Sequence, residues 1–404
     1  MIKNIALLLI CTIILACGKE VYVPKAGAWR VSLDLGEGKE LPFLAEYKNE
    51  DTFIIFNAEE EIEIKEITIE GDSITIQMPV YEGVFKGTFT EERITGDFIK
   101  ESLNRVVPFT MEYGSKSRFK TSNSQYKHIE GSWEMIFSPD SEDDNYIAKG
   151  IFSEGDDGIV TGTIRTTTGD YRYLEGVIDA TTVKLSTFDG AHAFLFEAEI
   201  KDSILNGIFY SGNHWQEPFT GKRNENYELP AADSLTFLKE GYEKVGFSFP
   251  DSEGNMVSME DERFKDKVVL VQIMGTWCPN CLDETKFYTK YYNDVKSDDL
   301  EIVALAFEYV PTEERAINSI NRLIDAVGIP YPVLLAQYGT SSKKKANEKL
   351  PMLNHVLSYP TTIYIDKTGT VRKIHTGFNG PATGEKYTEF VTEFKNFVKT
   401  LIED

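Results

Sequence analysis

Two cysteines, Cys278 and Cys281, bracket Pro279 and Asn280 in the run Met274-Gly275-Thr276-Trp277-Cys278-Pro279-Asn280-Cys281-Leu282-Asp283-Glu284. Thiols at this spacing suit electron exchange. One thiolate attacks a disulfide, and its neighbour then attacks the mixed disulfide and frees the product. The run follows the apolar stretch Val268-Val269-Leu270-Val271-Gln272-Ile273, which reads as a strand buried on both faces, and it precedes a segment with helical spacing. At such a junction Cys278 caps the helix and Pro279 takes the first turn, where a missing N–H costs nothing. The unpaired N–H groups at the helix head then favour a thiolate at Cys278, while Cys281 waits one turn further in. Asn280 brings no charge, so most of the field comes from the helix.

A zinc site would need a second pair of ligands, and the remaining cysteines, Cys11 and Cys17, lie at the far N-terminus. No metal and no cofactor beyond the dithiol is therefore expected. Glu284 falls three residues after Cys281 on the same helix face, where its carboxylate can reach the buried sulfur directly or through one water. A solvated acid favoured by the helix dipole is the competing reading. Trp277 reads either as core filler or as a wall shielding the sulfurs.

Trp277-Cys278-Pro279-Asn280-Cys281 with Glu284, followed much later by Tyr359-Pro360-Thr361-Thr362, resembles the thioredoxin-like proteins of the TlpA/ResA type in the AhpC/TSA–Redoxin superfamily, bacterial extracytoplasmic thiol–disulfide oxidoreductases. The resemblance covers residues 244 to 404. It implies a cis peptide before Pro360, with Tyr359 and Pro360 lining a substrate cleft beside Trp277, Pro279 and Asn280. It also implies a proton-transfer role for Glu284. Two departures stand out: Lys286 occupies a position where relatives often have proline, and proline comes first in the dipeptide between the cysteines, so the resemblance carries no redox potential.

Lys3 precedes an apolar run, Ile5 to Leu15, that is too short to span a bilayer and is shaped like the core of a secretory signal. It ends at Ile14-Leu15-Ala16-Cys17-Gly18, which resembles a bacterial lipobox. That resemblance implies cleavage before Cys17, lipid attachment at Cys17, and an extracytoplasmic chain anchored to a bacterial membrane, most naturally facing the periplasm. Cys278 and Cys281 then remain as the thiols, an economy that reserves sulfur chemistry for one place. Asp and Glu outnumber Lys and Arg by 65 to 42, for a net charge of −23, which disfavours nucleic acid and bare anionic lipid as partners.

Between anchor and dithiol the pattern is all strand, and it runs twice. Gly27-Ala28-Trp29 recurs as Gly131-Ser132-Trp133, Ile94-Thr95-Gly96-Asp97-Phe98 as Leu205-Asn206-Gly207-Ile208-Phe209, and Val107-Pro108-Phe109-Thr110 as Glu217-Pro218-Phe219-Thr220. Such recurrence predicts a tandem duplication of two small eight-stranded barrels or sandwiches ahead of an α/β thioredoxin-like domain. The expected segments are a signal over 1–16, a tether over 17–26, β repeats over 27–114 and 131–222, linkers over 115–130 and 223–243, and the thioredoxin-like domain over 244–404. Within the second linker a short helix is expected near Leu235 to Tyr242. In the first repeat, Ile67 and Ile69 resume the alternation of Glu61-Ile62-Glu63-Ile64 in the opposite parity, as a bulge or bend requires. The acidic clusters at Glu142-Asp143-Asp144 and Glu154 to Gly158 lack calcium-loop spacing and read as solvated turns. His355 and His375 read as structural or surface residues, and Lys343-Lys344-Lys345 as a solvated face.

These features predict a membrane-anchored oxidoreductase that exchanges disulfides with protein partners and is recharged by an electron donor. Two alternatives remain open. A thiol peroxidase of the related peroxiredoxin branch would need Thr three residues before the reactive cysteine, where Gly275 stands. A binding lipoprotein would place the main function in the β repeats.

Overall fold

The computed structural model describes residues 23–49, 51–122 and 126–404. The apolar leader and Cys17 lie outside them. Among the described residues no helix is long and apolar enough to cross a membrane.

Alternation builds the first sheet. In β1 (Gly27–Gly36), Trp29, Val31 and Leu33 all point inward and are fully buried. There follow β2 (Lys39–Asn49), β3 (Thr52–Asn57), β4 (Glu60–Ile64), β5 (Glu66–Glu70), β6 (Ser73–Gln77), β7 (Val84–Phe89), β8 (Arg93–Lys100) and β9 (Arg105–Tyr113). Neighbours in sequence pair antiparallel except β4 with β5, and β9 returns to β1, so nine strands run in the order 4-3-2-1-9-8-7-6-5. The parity change at Lys65 is therefore a break rather than a bulge: β4 pairs with β3, and β5 pairs with β6.

The second copy repeats this order with β10 (Gly131–Phe137), β11 (Tyr146–Glu154), β12 (Ile159–Thr166), β13 (Gly169–Asp170), β14 (Leu174–Asp179), β15 (Thr182–Phe188), β16 (Ala193–Lys201), β17 (Ile204–Ser211) and β18 (Trp215–Arg223). Here β12 pairs with both β11 and β14, so the long strands close a barrel and β13 is a two-residue appendage on β12. The ninth strand of each copy, β4 or β13, is the addition to the eight expected. Matching local devices mark the duplication: Trp29 donates from Nε1 to the Lys25 carbonyl at 2.9 Å, and Trp133 does so to Ile129 at 2.8 Å. Phe137, Phe196, Phe209 and Phe219 fill the second barrel, leaving a cavity of only about 10 Å3. That is about the volume of one water, so the interior has no room for an organic ligand.

After the hairpin β19 (Ser248–Pro250) and β20 (Met256–Ser258) comes a five-stranded sheet in the order 23-22-21-24-25. Its members are β21 (Val268–Met274), β22 (Leu300–Phe307), β23 (Val333–Gln337), β24 (Thr361–Ile365) and β25 (Val371–Thr376). The first three are parallel and the last two antiparallel, and every residue of β21 is buried. Helices α1 (Pro279–Val295), α2 (Glu313–Val327), α3 (Lys343–Lys349) and α4 (Glu385–Glu403) flank the sheet. Thr312 caps α2 through its side chain, Gly328 ends it at φ 71°, and Phe390, Phe394, Val398 and Leu401 bury one face of α4. The short helix expected near Leu235 is absent. A 3-10 turn at Ala232–Ser234 precedes an extended stretch in which Leu238 bridges to Leu353, so pairing with the domain prevails over local spacing.

The buried apolar residues of the first sheet are continuous with those of the C-terminal domain, whereas the second barrel keeps a core of its own. Phe188 and Leu195, from β15 and β16, are the exceptions and join the shared core, Phe188 most visibly. It leaves the second barrel at the end of β15 and stacks on Phe43 in the first sheet at 4.5 Å, and the side chain of Asn57 both donates to and accepts from its backbone.

Candidate active site

The junction between β21 and α1 forms as the spacing predicts. Cys278 is the N-cap in an extended conformation and Pro279 opens the helix. The Cys281 N–H donates to Cys278 Sγ at 3.3 Å, and the Cys278 thiol donates to the Tyr359 carbonyl at 3.3 Å. The Tyr359–Pro360 peptide is cis, and its loop therefore meets the first sulfur. Both cysteines are free thiols; Cys278 is 8% exposed and Cys281 is fully buried. Burial, reinforced by the adjacent Cys278, pushes the Cys281 thiol well above its usual range.

Trp277 does more than fill space. Its Nε1 donates to the Phe307 carbonyl at 3.0 Å, and its ring meets Tyr359 edge-on at 5.6 Å, so it ties the cysteine turn to the cis-proline loop. Gly275 makes room for it: a Cβ there would lie 2.4 Å from Trp277 Nε1.

Glu284 is fully buried below the dithiol. Gln272 donates to one carboxylate oxygen at 2.9 Å, while Tyr288 and Thr362 donate to the other at 3.1 and 3.0 Å. Burial outweighs these bonds and raises its pKa to about 7. Both oxygens are thus held by oxygen and nitrogen donors from Gln272, Tyr288 and Thr362.

Sequence reasoning missed a second buried acid. Glu308, just past β22, accepts from the Thr276 N–H at 2.8 Å and from its hydroxyl at 2.7 Å, and burial raises its pKa to about 7. A carboxylate directly after an apolar parallel strand was the available signal, since the carboxyl ends of such strands carry functional groups. Lys343, Lys344 and Lys345 are exposed at the start of α3, as expected of a solvated face. His355 donates from Nε2 to the Leu235 carbonyl at 3.0 Å, and His375 pairs with Asp233 at 2.6 Å; neither bonds to a cysteine.

The β region also reaches the site. Asn280 donates to the carbonyls of Asp170 and Phe378 at 3.1 and 3.3 Å. Arg172, only 4% exposed, donates to the Pro279 carbonyl at 3.2 Å and pairs with Asp283 of α1 and Glu60 of the first sheet. Nothing in the sequence marks these residues, since Arg172 and Asp283 stand 111 positions apart.

Residues 239–389 match the family model described as Redoxin. Among curated relatives, the thioredoxin-like protein YneN of Bacillus subtilis is 27% identical over 35% of this chain and 73% of its own length. The thiol-disulfide oxidoreductase ResA of Halalkalibacterium halodurans is 26% identical over 39% of this chain and 79% of its own. Among solved structures, a thiol-disulfide oxidoreductase from Bacteroides fragilis is 20% identical, with a TM-score of 0.27 over 37% of this chain and 99% of that one. A thioredoxin family thiol:disulfide interchange protein from Chlorobium tepidum is 19% identical, with a TM-score of 0.28 over 38% and 97%. The C-terminal region of this chain is a Redoxin domain, preceded by a β-rich region.

Proposed function

We propose that the protein is an extracytoplasmic thiol–disulfide oxidoreductase, lipid-anchored through Cys17, that exchanges disulfides with protein partners through Cys278 and Cys281. The observation that carries the reading is the placement of Cys278 Sγ at the head of α1, bonded to the Cys281 N–H and set against the loop of Pro360. Supporting it, relatives aligned over more than two thirds of their own length bear the name thiol-disulfide oxidoreductase ResA.

In the reducing direction the Cys278 thiolate attacks one sulfur of a substrate disulfide, forming a mixed disulfide and releasing the other sulfur as a thiolate. Cys281 then loses its proton and attacks Cys278. The Cys278–Cys281 disulfide forms, the second substrate thiol leaves, and two electrons have passed to the substrate. A dithiol donor restores the pair, and the same steps run backwards for oxidation. Because Cys281 holds its proton tightly, the second step needs a base. Glu284 takes that role through one intervening water, its pKa of about 7 matching neutral pH. Trp277, Pro279, Asn280, Tyr359 and Pro360 line the cleft.

Peroxidase chemistry fits less well, because a threonine at Gly275 would drive its Cβ into Trp277. The filled second barrel likewise gives a ligand-binding reading no internal pocket. The test is Cys281→Ser. With resolution blocked, a reducible adduct between Cys278 and a polypeptide thiol should accumulate; absence of any adduct across a range of disulfide proteins contradicts the proposal. Incorporation of labelled palmitate, lost in Cys17→Ser, checks the anchor.

A further inference from the structure

We infer that the segment Thr168–Arg172 of the second barrel is a specificity-determining cover beside the dithiol, anchored by Tyr171 and Arg172, whose Thr168–Asp170 part is seated where a substrate polypeptide would lie and is displaced when one binds. The inference rests on Cys278 being the exchanging sulfur.

The segment meets the site as a peptide ligand would. Its backbone carbonyls take the donors around Cys278: Ser358 Oγ donates to Thr168 O at 2.7 Å, and Asn280 Nδ2 donates to Asp170 O at 3.1 Å. The Asp170 carboxylate accepts the Gly380 N–H at 2.7 Å, and Arg172 clamps the first turn of α1 through Pro279 O and Asp283. Ser358 and Asn280 flank Cys278, one on the loop of the cis peptide and the other in the first turn of α1 between the cysteines. A segment bonded to both leaves no slot for a second chain.

Two glycines make the fit possible. Gly169 adopts φ +144°, and a Cβ there would lie 2.3 Å from Asn280 Nδ2; across the contact Gly377 adopts φ +78°, and its Cβ would meet Thr168 C at 2.8 Å. Each backbone approaches too closely for any side chain at those positions. Cys278, between the two groups this segment binds, is only 8% exposed, although it is the sulfur that must meet a partner.

Tyr171 anchors the cover in its own barrel, its ring packed on Phe137, Phe194, Phe196 and Phe209 and its N–H donating to the Ile164 carbonyl at 2.9 Å, but the stretch before it is lightly held. Only two residue pairs join β13 to β12, whereas β11 and β12 share seven. Against the C-terminal domain its bonds are polar, and an extended polypeptide supplies the same carbonyl acceptors. Exchange of Thr168 O and Asp170 O for a substrate's carbonyls keeps the Ser358 and Asn280 donors paired, whereas Arg172 stays with Asp283, Glu60 and Asp189, so the part that gives way is Thr168–Asp170. A small disulfide needs only an edge of the sulfur; a polypeptide needs the cleft.

The test uses the reduced full-length chain and two variants. Gly169→Ala wedges the cover off without removing a charge, and Arg172→Ala removes the clamp. The readout is the rate of Cys278 alkylation by iodoacetamide, followed by mass spectrometry. Circular dichroism and an unmodified Cys281 show that the chain remains folded, and Gly169→Ala keeps the test decisive if Arg172→Ala does not fold. Alkylation should rise at least about tenfold in folded Gly169→Ala, as expected when local opening limits access. Reduction of insulin should rise more than reduction of a small aromatic disulfide. Alkylation of the folded variants within about twofold of the parent, or equal gains for insulin and the small disulfide, overturns the cover. Faster alkylation without exchange with any disulfide upholds the cover and overturns the oxidoreductase reading instead.

Discussion

In the first sheet the strand that follows β3 is a five-residue ladder, Glu60–Ile64, whereas the same slot in the second barrel holds β13, two residues long. Where β4 stays on its sheet, β13 and the residues after it reach the head of α1, Asp170 through Asn280 and Arg172 through the Pro279 carbonyl. Their cores differ in the same sense. The first sheet shares its apolar interior with the C-terminal domain, while the second barrel closes on itself and touches the domain through polar groups. The two copies thus differ at one wall: β4 pairs with β3 over five residues, while β13 pairs with β12 over two. The lesson is that apolar continuity fixes a neighbour in place, while a polar contact leaves it able to move.

The strongest test of this contrast removes the equivalent tryptophans. Trp29→Ala and Trp133→Ala should each cost about 3 to 5 kcal/mol, the usual range for a fully buried aromatic. Thermal unfolding should separate them: loss of Trp29 lowers the melting of the C-terminal domain as well, and loss of Trp133 mainly that of its own barrel. Equal effects on the C-terminal domain would break the contrast.

Next in size is Arg172→Ala. It leaves Asp283, Glu60 and Asp189 buried without their common cation, so denaturant titration should show a loss of about 3 to 4 kcal/mol.

The two buried acids extend the comparison. Glu284 lies in the domain's own interior, while Glu308 borders a small cavity with Tyr81, Glu82 and Lys100 of the first sheet. Burial lifts both from the usual 4.5 to about 7, so each binds its proton more tightly in the folded chain. The stability so gained is complete below the unfolded value and is lost as pH rises through 7, on the order of 3 kcal/mol for each group at most. Denaturation midpoints should fall between pH 4.5 and 8, and Glu308→Gln should remove part of that slope. Glu284→Gln should in addition slow disulfide exchange about 100-fold near neutral pH, as loss of a general base does, and a rate unchanged there would remove Glu284 from the proton path.

The smallest effect belongs to the rim between the first sheet and α2. Arg322 pairs with Glu66, which is more than half exposed, and Glu66→Ala should change stability by less than about 1 kcal/mol. A larger loss would mean that charge, rather than the shared apolar core, holds the first sheet in place.

The dithiol, the helix beneath it and the strand before it were all legible because each signal is local: a cap, a proline, an apolar run. The duplication was legible for the same reason, as Trp29 and Trp133 keep matching neighbours. Closure of one copy and not the other was hidden, since it turns on whether β12 finds β14 past the short β13, a pairing that β3 does not make with β5 and that has no signature of its own. The cover was hidden twice over. Gly169 reads as an ordinary turn residue, and Arg172 gains its meaning from acids on two other parts of the chain. Glu308 stood in plain view, but only the fold reveals that its partner is the backbone of Thr276.

The account stands on Cys278 and Cys281 passing between dithiol and disulfide. Equilibrating the purified protein with dithiothreitol buffers of stepped poise, and trapping free thiols at each step, measures this directly. The account predicts one transition fitting two electrons and abolished in Cys278→Ser. A pair that stays reduced at every poise would contradict it.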